Sequence, residues 1–129
     1  MPIHTRPLSV TIVAWLFIVA GTVGFVYHAI EFMASAPWPA DAIWVLAVRL
    51  LAIVGGVFTL RGANWARWLL VAWLAWHVAI GARHSTHDAL AHGALLVVIA
   101  YLLLRPPASA YFRRVAPGSQ RAAAPNGWD

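Results

Sequence analysis

The chain has 129 residues, of which 62% are hydrophobic and only 10% are charged. That balance excludes a soluble globular domain and predicts a single-domain integral membrane protein. The lack of cysteine excludes thiolate ligation of a metal and a cysteine nucleophile. All nine basic side chains are arginine and the formal net charge is +5. Since the arginines flank apolar segments, we interpret them as topology signals and not as a nucleic-acid surface.

Four long apolar segments follow one another along the chain, over residues 8–31, 42–60, 65–82 and 86–104. Each has close to the roughly 20 residues that a helix needs to cross a bilayer. The links between them are short, and Pro106 and Pro107 end the fourth segment because proline cannot continue a helix. The sequence therefore predicts an all-α integral membrane protein, with a four-helix, up-down antiparallel transmembrane bundle over residues 1–105. A basic, Pro/Ala-rich cytoplasmic tail is expected over residues 106–129.

The arginines are distributed unequally between the two ends of the predicted spans. The end that carries both termini has seven of them: Arg6, Arg61, Arg67, Arg105, Arg113, Arg114 and Arg121. Only Arg49 and Arg83 fall toward the other end. The positive-inside rule then predicts that both termini are cytoplasmic, in the inner membrane of a bacterium. At that inner surface we expect Arg105, Arg113 and Arg114 to contact lipid phosphates.

The opposite end of the predicted bundle is rich in histidine and carboxylate, and we call this group the histidine layer. Its members are His28, His77, His84, His87, His92, Glu31 and Asp88. A helix rises about 1.5 Å per residue, which puts His28, His77 and His92 roughly one to two turns inside the outer edge of their spans. Ionisable groups at that depth are costly, so we expect them to have a partner or a function.

Three kinds of cofactor are compatible with the histidine layer. A divalent metal ion needs about three or four histidine or carboxylate ligands. A b-type haem needs only two axial histidines, and a quinone site needs one histidine with nearby aromatic rings. The alternative is that these groups only satisfy one another. In that case we expect Arg49 to form an intramembrane ion pair with Glu31 or Asp88.

Little in the sequence supports an enzyme, because no nucleophile stands beside a base and no glycine-rich phosphate loop is present. Our leading hypothesis is a small accessory subunit of a larger bacterial inner-membrane complex of the respiratory or photosynthetic type. The alternative is a membrane protein that binds a metal, haem or quinone in the histidine layer, and a transporter component is a weaker one. The expected partners are membrane lipids and other membrane-protein subunits, with no nucleic acid.

Overall fold

The computed structural model describes residues 5–115, and this part of the chain is helical, with short connections and no strands. Its helices are α1 (Leu8–Ala34), α2 (Ala42–Leu60), α3 (Asn64–His84), α4 (Thr86–Leu104) and α5 (Pro106–Val115). The first four are long and apolar enough to cross a membrane. The predicted all-helical architecture, with four helices that could each span a membrane, is therefore confirmed.

Two short connections separate α2, α3 and α4. Gly62 lies between α2 and α3 with a φ of +77°, in the left-handed region where glycine is free of strain. Ser85 lies between α3 and α4, and its hydroxyl accepts a hydrogen bond from the backbone N–H of Asp88 at 3.4 Å. Such an N-cap satisfies one of the free N–H groups at the start of a helix. Helix α3 therefore continues through His84, and α4 begins as a separate helix directly after Ser85.

Small residues bring α1 and α2 into close contact. A Cβ atom on Gly56 of α2 would lie 2.8 Å from the backbone oxygen of Ala14 in α1. A Cβ atom on Gly21 of α1 would lie 3.2 Å from the Cβ of Ala52. Helices approach this closely only where small side chains allow the backbones to meet. The α1–α2 contact is therefore sensitive to side-chain volume at these glycines.

The main buried core joins all four long helices. Its buried members are Val13, Phe17, Ala52, Leu70, Leu74, Ile99 and Leu103. Within this core α1 packs extensively on α2 and α3 on α4, whereas α1 and α4 touch only lightly. Because α1 and α4 are loosely packed, space remains between them beside Phe17.

Helix α5 lies in the segment that the sequence predicts only as a tail. Its Ala108 and Phe112 are fully buried in a small cluster with Val10 of α1. The Tyr111 hydroxyl donates a hydrogen bond to the backbone oxygen of Leu60, at the end of α2, at 2.9 Å. The first ten residues of the predicted tail are thus a helix that packs against the bundle. The rest of that tail, residues 116–129, lies outside the described residues.

Candidate functional site

Trp73 of α3 lies where three helices meet. Its indole N–H donates a hydrogen bond to the backbone oxygen of Val48 in α2 at 2.8 Å. Its ring makes an edge-to-face contact with Phe17 of α1, with 5.6 Å between the ring centroids. The His77 ring, one turn later on α3, stacks on Trp73 at 3.7 Å, and the His92 ring of α4 lies 6.1 Å from that of His77. A row of rings therefore crosses the bundle from α1 to α4.

Three histidine rings, those of His77, His84 and His92, are held in the same way. In each, Nδ1 lies 2.8–2.9 Å from the backbone oxygen of the residue four positions earlier. A carbonyl oxygen can only accept a hydrogen bond, so Nδ1 carries the hydrogen and Nε2 of the neutral ring remains an acceptor. The backbone bond also limits the rotation of the ring. His77 and His92 therefore present an oriented Nε2 acceptor within the bundle.

Arg49 of α2 does not form the predicted ion pair. Within residues 5–115 the two carboxylates of the histidine layer lie beside histidines instead, Glu31 at 3.1 Å from Nδ1 of His28 and Asp88 at 3.8 Å from Nδ1 of His87. Glu31 and Asp88 are exposed near helix ends, whereas Arg49 lies seven residues into α2, about 10 Å along the axis. The two carboxylates thus pair with histidines at their own level, and the arginine lies deeper.

The Arg49 side chain instead extends along α1. A Cβ atom on Gly24 would lie 3.1 Å from its Cδ and 3.2 Å from its Nε, so the guanidinium stem occupies the space that this glycine leaves. The side chain is half-buried. A cation at this depth is costly unless another group stabilises it. Because no carboxylate among the described residues pairs with Arg49, that stabilisation has to come from other polar groups or from a ligand.

Two cavities meet at Arg49. The first, which we call the apolar cavity, has a volume of about 270 Å³ and is lined by Leu16, Phe17, Ala20, Gly21, Arg49, Ala52, Trp73, Leu74, His92, Leu95 and Ile99. The second, which we call the polar cleft, has a volume of about 430 Å³ and is lined by His28, Asp41, Trp44, Val45, Val48, Arg49, Trp76, His77 and Ile80. Arg49 is the residue that both share, so it lies at the boundary between the apolar cavity and the polar cleft.

A third, shallower hollow between α3 and α4 connects the histidines to each other. Its lining includes His77, His84, Asp88 and His92. His77 thus borders this hollow and the polar cleft, and His92 borders it and the apolar cavity. The structure therefore brings Arg49, His77 and His92 to one level of the bundle, at the boundaries between its cavities.

The predicted divalent-metal site does not assemble. Among residues 5–115 no three histidine, aspartate or glutamate side chains are grouped so that they could hold a metal ion. His28 is bonded to Glu31 on its own helix, and the His87 side chain is 93% exposed. His77, His84, Asp88 and His92 border one hollow, but its lining includes neither His28 nor His87.

A b-type haem between His77 and His92 does not suit the packing of α3 on α4. A Cβ atom on Gly81, one turn beyond His77, would lie 3.3 Å from the backbone nitrogen of Ala89. The two helices are in backbone contact there, so a porphyrin inserted beside that contact would have to force them apart. The geometry favours a ligand that needs one or two hydrogen-bonding side chains over a ligand that needs a coordination shell.

The three arginines predicted at the inner surface lie on α5 or at its start. Arg113 and Arg114 are exposed, whereas Arg105, at the α4–α5 junction, is half-buried.

The sequence suggests Trp73 as an aromatic residue beside a cofactor, and its i,i+4 spacing from His77 puts both on one helix face. The sequence indicates Arg67 only as a topology signal. Its contacts with Ser109 and Phe112 of α5 could not be read from the sequence, because those residues are at least 42 positions away.

Comparison with known proteins gives no match. No protein-family model fits the sequence, and neither a curated protein nor a solved structure is significantly similar to it. The function therefore has to be inferred from the chemistry of the residues.

Proposed function

We propose that the protein binds a small membrane-soluble ligand of the quinone class, with its oxygen-bearing ring between Arg49 and His92. One observation carries this proposal: Arg49 borders both the apolar cavity and the polar cleft, and the described residues provide it with no carboxylate partner. A ligand with polar oxygen atoms and an apolar body matches that boundary.

The two side chains offer complementary hydrogen-bonding chemistry. The Arg49 guanidinium carries only donors and suits a quinone carbonyl oxygen. His92 donates through Nδ1 to the backbone, so its Nε2 accepts and suits the hydroxyl of a quinol. The site thus offers a donor for the oxidised form and an acceptor for the reduced form. Ring faces for stacking are available from Phe17 and Trp73, which also line the apolar cavity.

The size and position of the apolar cavity support a ligand that arrives from the lipid. Its volume of about 270 Å³ is close to the lower limit of the roughly 300–1,000 Å³ typical of ligand pockets, which suits a single ring better than a macrocycle. Leu16 of α1 and Leu95 of α4 line it and are 46% and 40% exposed. Because α1 and α4 touch only lightly, the apolar tail of a quinone can leave between them into the bilayer.

Quinone binding can be tested by quenching of tryptophan fluorescence with a decyl-substituted benzoquinone, on protein in nanodiscs. We expect saturable quenching for the wild type. Arg49→Met keeps an unbranched apolar stem but removes the guanidinium and with it a charge-assisted hydrogen bond, which contributes about 1.5–3 kcal/mol, so the affinity should fall roughly 10- to 100-fold. Arg83→Met, at the exposed end of α3, is the matched control and should bind like the wild type. Equal affinities for all three proteins would exclude this site.

We also propose that the protein is an accessory subunit of a larger respiratory or photosynthetic type of membrane complex. Support comes from α4, which has the smallest buried share of the four long helices and exposes Val97, Val98 and Tyr101. Native mass spectra of protein gently extracted from its own membrane should then show the chain in complex with further subunits. The same spectra should show a retained quinone. A bare 14.1 kDa chain would contradict the accessory role without affecting the quinone titration.

We further propose an up-down antiparallel order, with both termini cytoplasmic in a bacterial inner membrane. The contacts of α1 with α2 support the antiparallel order, because Ala14 meets Gly56 whereas Gly24 meets Arg49. The arginine distribution supports the orientation. Since the chain has no cysteine, single cysteines introduced at Ser35 and at residue 119 can be labelled selectively. In intact cells an impermeant maleimide should label only the first, and the opposite pattern would reverse the orientation.

A further inference from the structure

The contact between α3 and α5 immobilises an arginine at the end of the bundle that carries α5. An Nη atom of Arg67 donates a hydrogen bond to the Ser109 hydroxyl at 3.2 Å. Its guanidinium carbon lies 5.2 Å from the ring centroid of Phe112 and 5.4 Å from that of Trp68. Aromatic faces attract a guanidinium and keep it in place. Arg67 is therefore held in one orientation, half-buried beneath α5.

Arg105 lies next to this contact, at the junction of α4 and α5. The Ser109 hydroxyl that accepts from Arg67 itself donates to the backbone oxygen of Leu104, at 2.9 Å. The backbone N–H of Ser109 donates to the backbone oxygen of Arg105 at 3.0 Å. Ser109 is thus bonded to the side chain of Arg67 and to the backbone of Arg105, which places the two arginine residues on either side of it.

Both guanidinium groups have a donor without an acceptor. The Nε atoms of Arg67 and Arg105 are buried, and within residues 5–115 neither has a hydrogen-bond partner. A buried N–H group that makes no hydrogen bond is costly, and more so when it carries charge. Two such donors on residues that flank Ser109 point to an acceptor that the described residues do not supply.

The described residues at this end of the bundle include no carboxylate. The carboxylates among the described residues are Glu31, Asp41 and Asp88. All three lie toward the ends of α1, α2 and α4 that are remote from α5. The like charge of Arg113 also acts on Arg67. Repulsion between cations that are partly removed from water makes an anionic acceptor more favourable still.

We infer that Arg67 and Arg105 form a binding site for the phosphate group of an anionic phospholipid. Arginine donors match phosphate oxygens in geometry and charge. The site lies at one end of the membrane-spanning helices, where lipid phosphates are found, and Trp65 and Trp68 beside it are half exposed, as is typical of the membrane interface. Basic pockets between helices at this level bind anionic head groups. The bound lipid would join α3 to α5 and is independent of any ligand at Arg49.

The test is the retention of lipid by the purified full-length chain. Protein equilibrated with equimolar phosphatidylglycerol and phosphatidylcholine is analysed by native mass spectrometry, and retained phosphatidylglycerol is counted. We expect one lipid to be retained by the wild type and by Arg83→Gln, which removes the same charge at the other end of α3. Retention should fall about fivefold in Arg67→Gln and in Arg105→Gln, the effect of one basic side chain on binding to anionic lipid.

Two controls distinguish the possible outcomes. Arg105→Gln removes no hydrogen bond that its side chain makes within residues 5–115, so it remains informative if Arg67→Gln unfolds, which far-ultraviolet circular dichroism would show. Inorganic phosphate at millimolar concentration is added to lipid-free protein. Thermal stabilisation by phosphate equal to that by phosphatidylglycerol would overturn the lipid assignment in favour of a free-phosphate site. Equal lipid retention by all four proteins would overturn the site altogether.

Discussion

Gly56→Val is expected to disrupt the packing of α1 on α2. The first added carbon would lie 2.8 Å from the backbone oxygen of Ala14 and 2.7 Å from Cγ1 of Ile18. A backbone oxygen within a helix cannot rotate away, so the two helices have to separate. Overpacking of this kind costs about 1–3 kcal/mol, and occasionally more. The transition of the variant during titration with sodium dodecyl sulfate, followed by circular dichroism in mild detergent, should shift to lower detergent fractions.

Gly93→Ala provides the matched control for this substitution. Gly93 is also in a long helix, but a Cβ atom there would meet no heavy atom within 4 Å. Alanine is favoured over glycine in a helix by about 1 kcal/mol, so this variant should be as stable as the wild type or slightly more stable. If Gly56→Val and Gly93→Ala unfolded at the same detergent fraction, the backbone contact of α1 with α2 at Gly56 would be contradicted.

Trp73→Ala is expected to destabilise the bundle strongly. The indole contacts Phe17 of α1 and bonds to Val48 of α2, so its removal leaves a void where three helices meet. Truncation of a fully buried aromatic residue to alanine costs about 3–5 kcal/mol, and because Trp73 is partly buried we expect a loss near the lower end of that range, about 3 kcal/mol. Trp73→Phe keeps a ring but loses the hydrogen bond to Val48, and should cost about 1 kcal/mol for that bond.

Trp76→Ala is the control that distinguishes the general effect of removing a tryptophan from the specific effect of removing Trp73. Trp76 is on the same helix, three residues later, and is 50% exposed. Its truncation should change the free energy of unfolding far less than that of Trp73. The same detergent titration ranks the variants, and the expected order of stability is Trp76→Ala, then Trp73→Phe, then Trp73→Ala. Similar losses for Trp73→Ala and Trp76→Ala would contradict the described position of Trp73.

The bundle combines a stable framework with a loosely closed side. Small residues hold α1 against α2, and Trp73 connects that pair to α3. The weak contact of α4 with α1 leaves the apolar cavity accessible beside His92. Arg49 and His92, which are proposed to hydrogen-bond the ligand, lie outside the buried core. Phe17 and Trp73, by contrast, belong both to the packing and to the cavity wall. Substitutions at Arg49 can therefore test binding without removing a core side chain.

The sequence by itself determined the four long helices and the depth of their polar groups. Hydropathy and length are properties of contiguous residues, so the apolar segments could be located without knowledge of their neighbours. Depth follows from residue number because the rise per residue is constant. For this reason the sequence predicts a similar depth for His28, His77 and His92, and in the structure His77 and His92 border the same hollow. The two prolines at 106 and 107 also indicated correctly where α4 ends.

Only the tertiary structure decided which of these groups meet. The direction of a side chain around its helix axis depends on the rotation of that helix against its neighbours, which the hydropathy of nearly uniformly apolar helices does not specify. Glu31 therefore pairs with His28, and Arg49 forms no ion pair with Glu31 or Asp88. The docking of α5 could not be predicted from the sequence either, because it depends on the packing of Phe112 on Val10 and on the hydrogen bond from Tyr111 to Leu60. These partners are far apart in the chain, and only the fold brings them together.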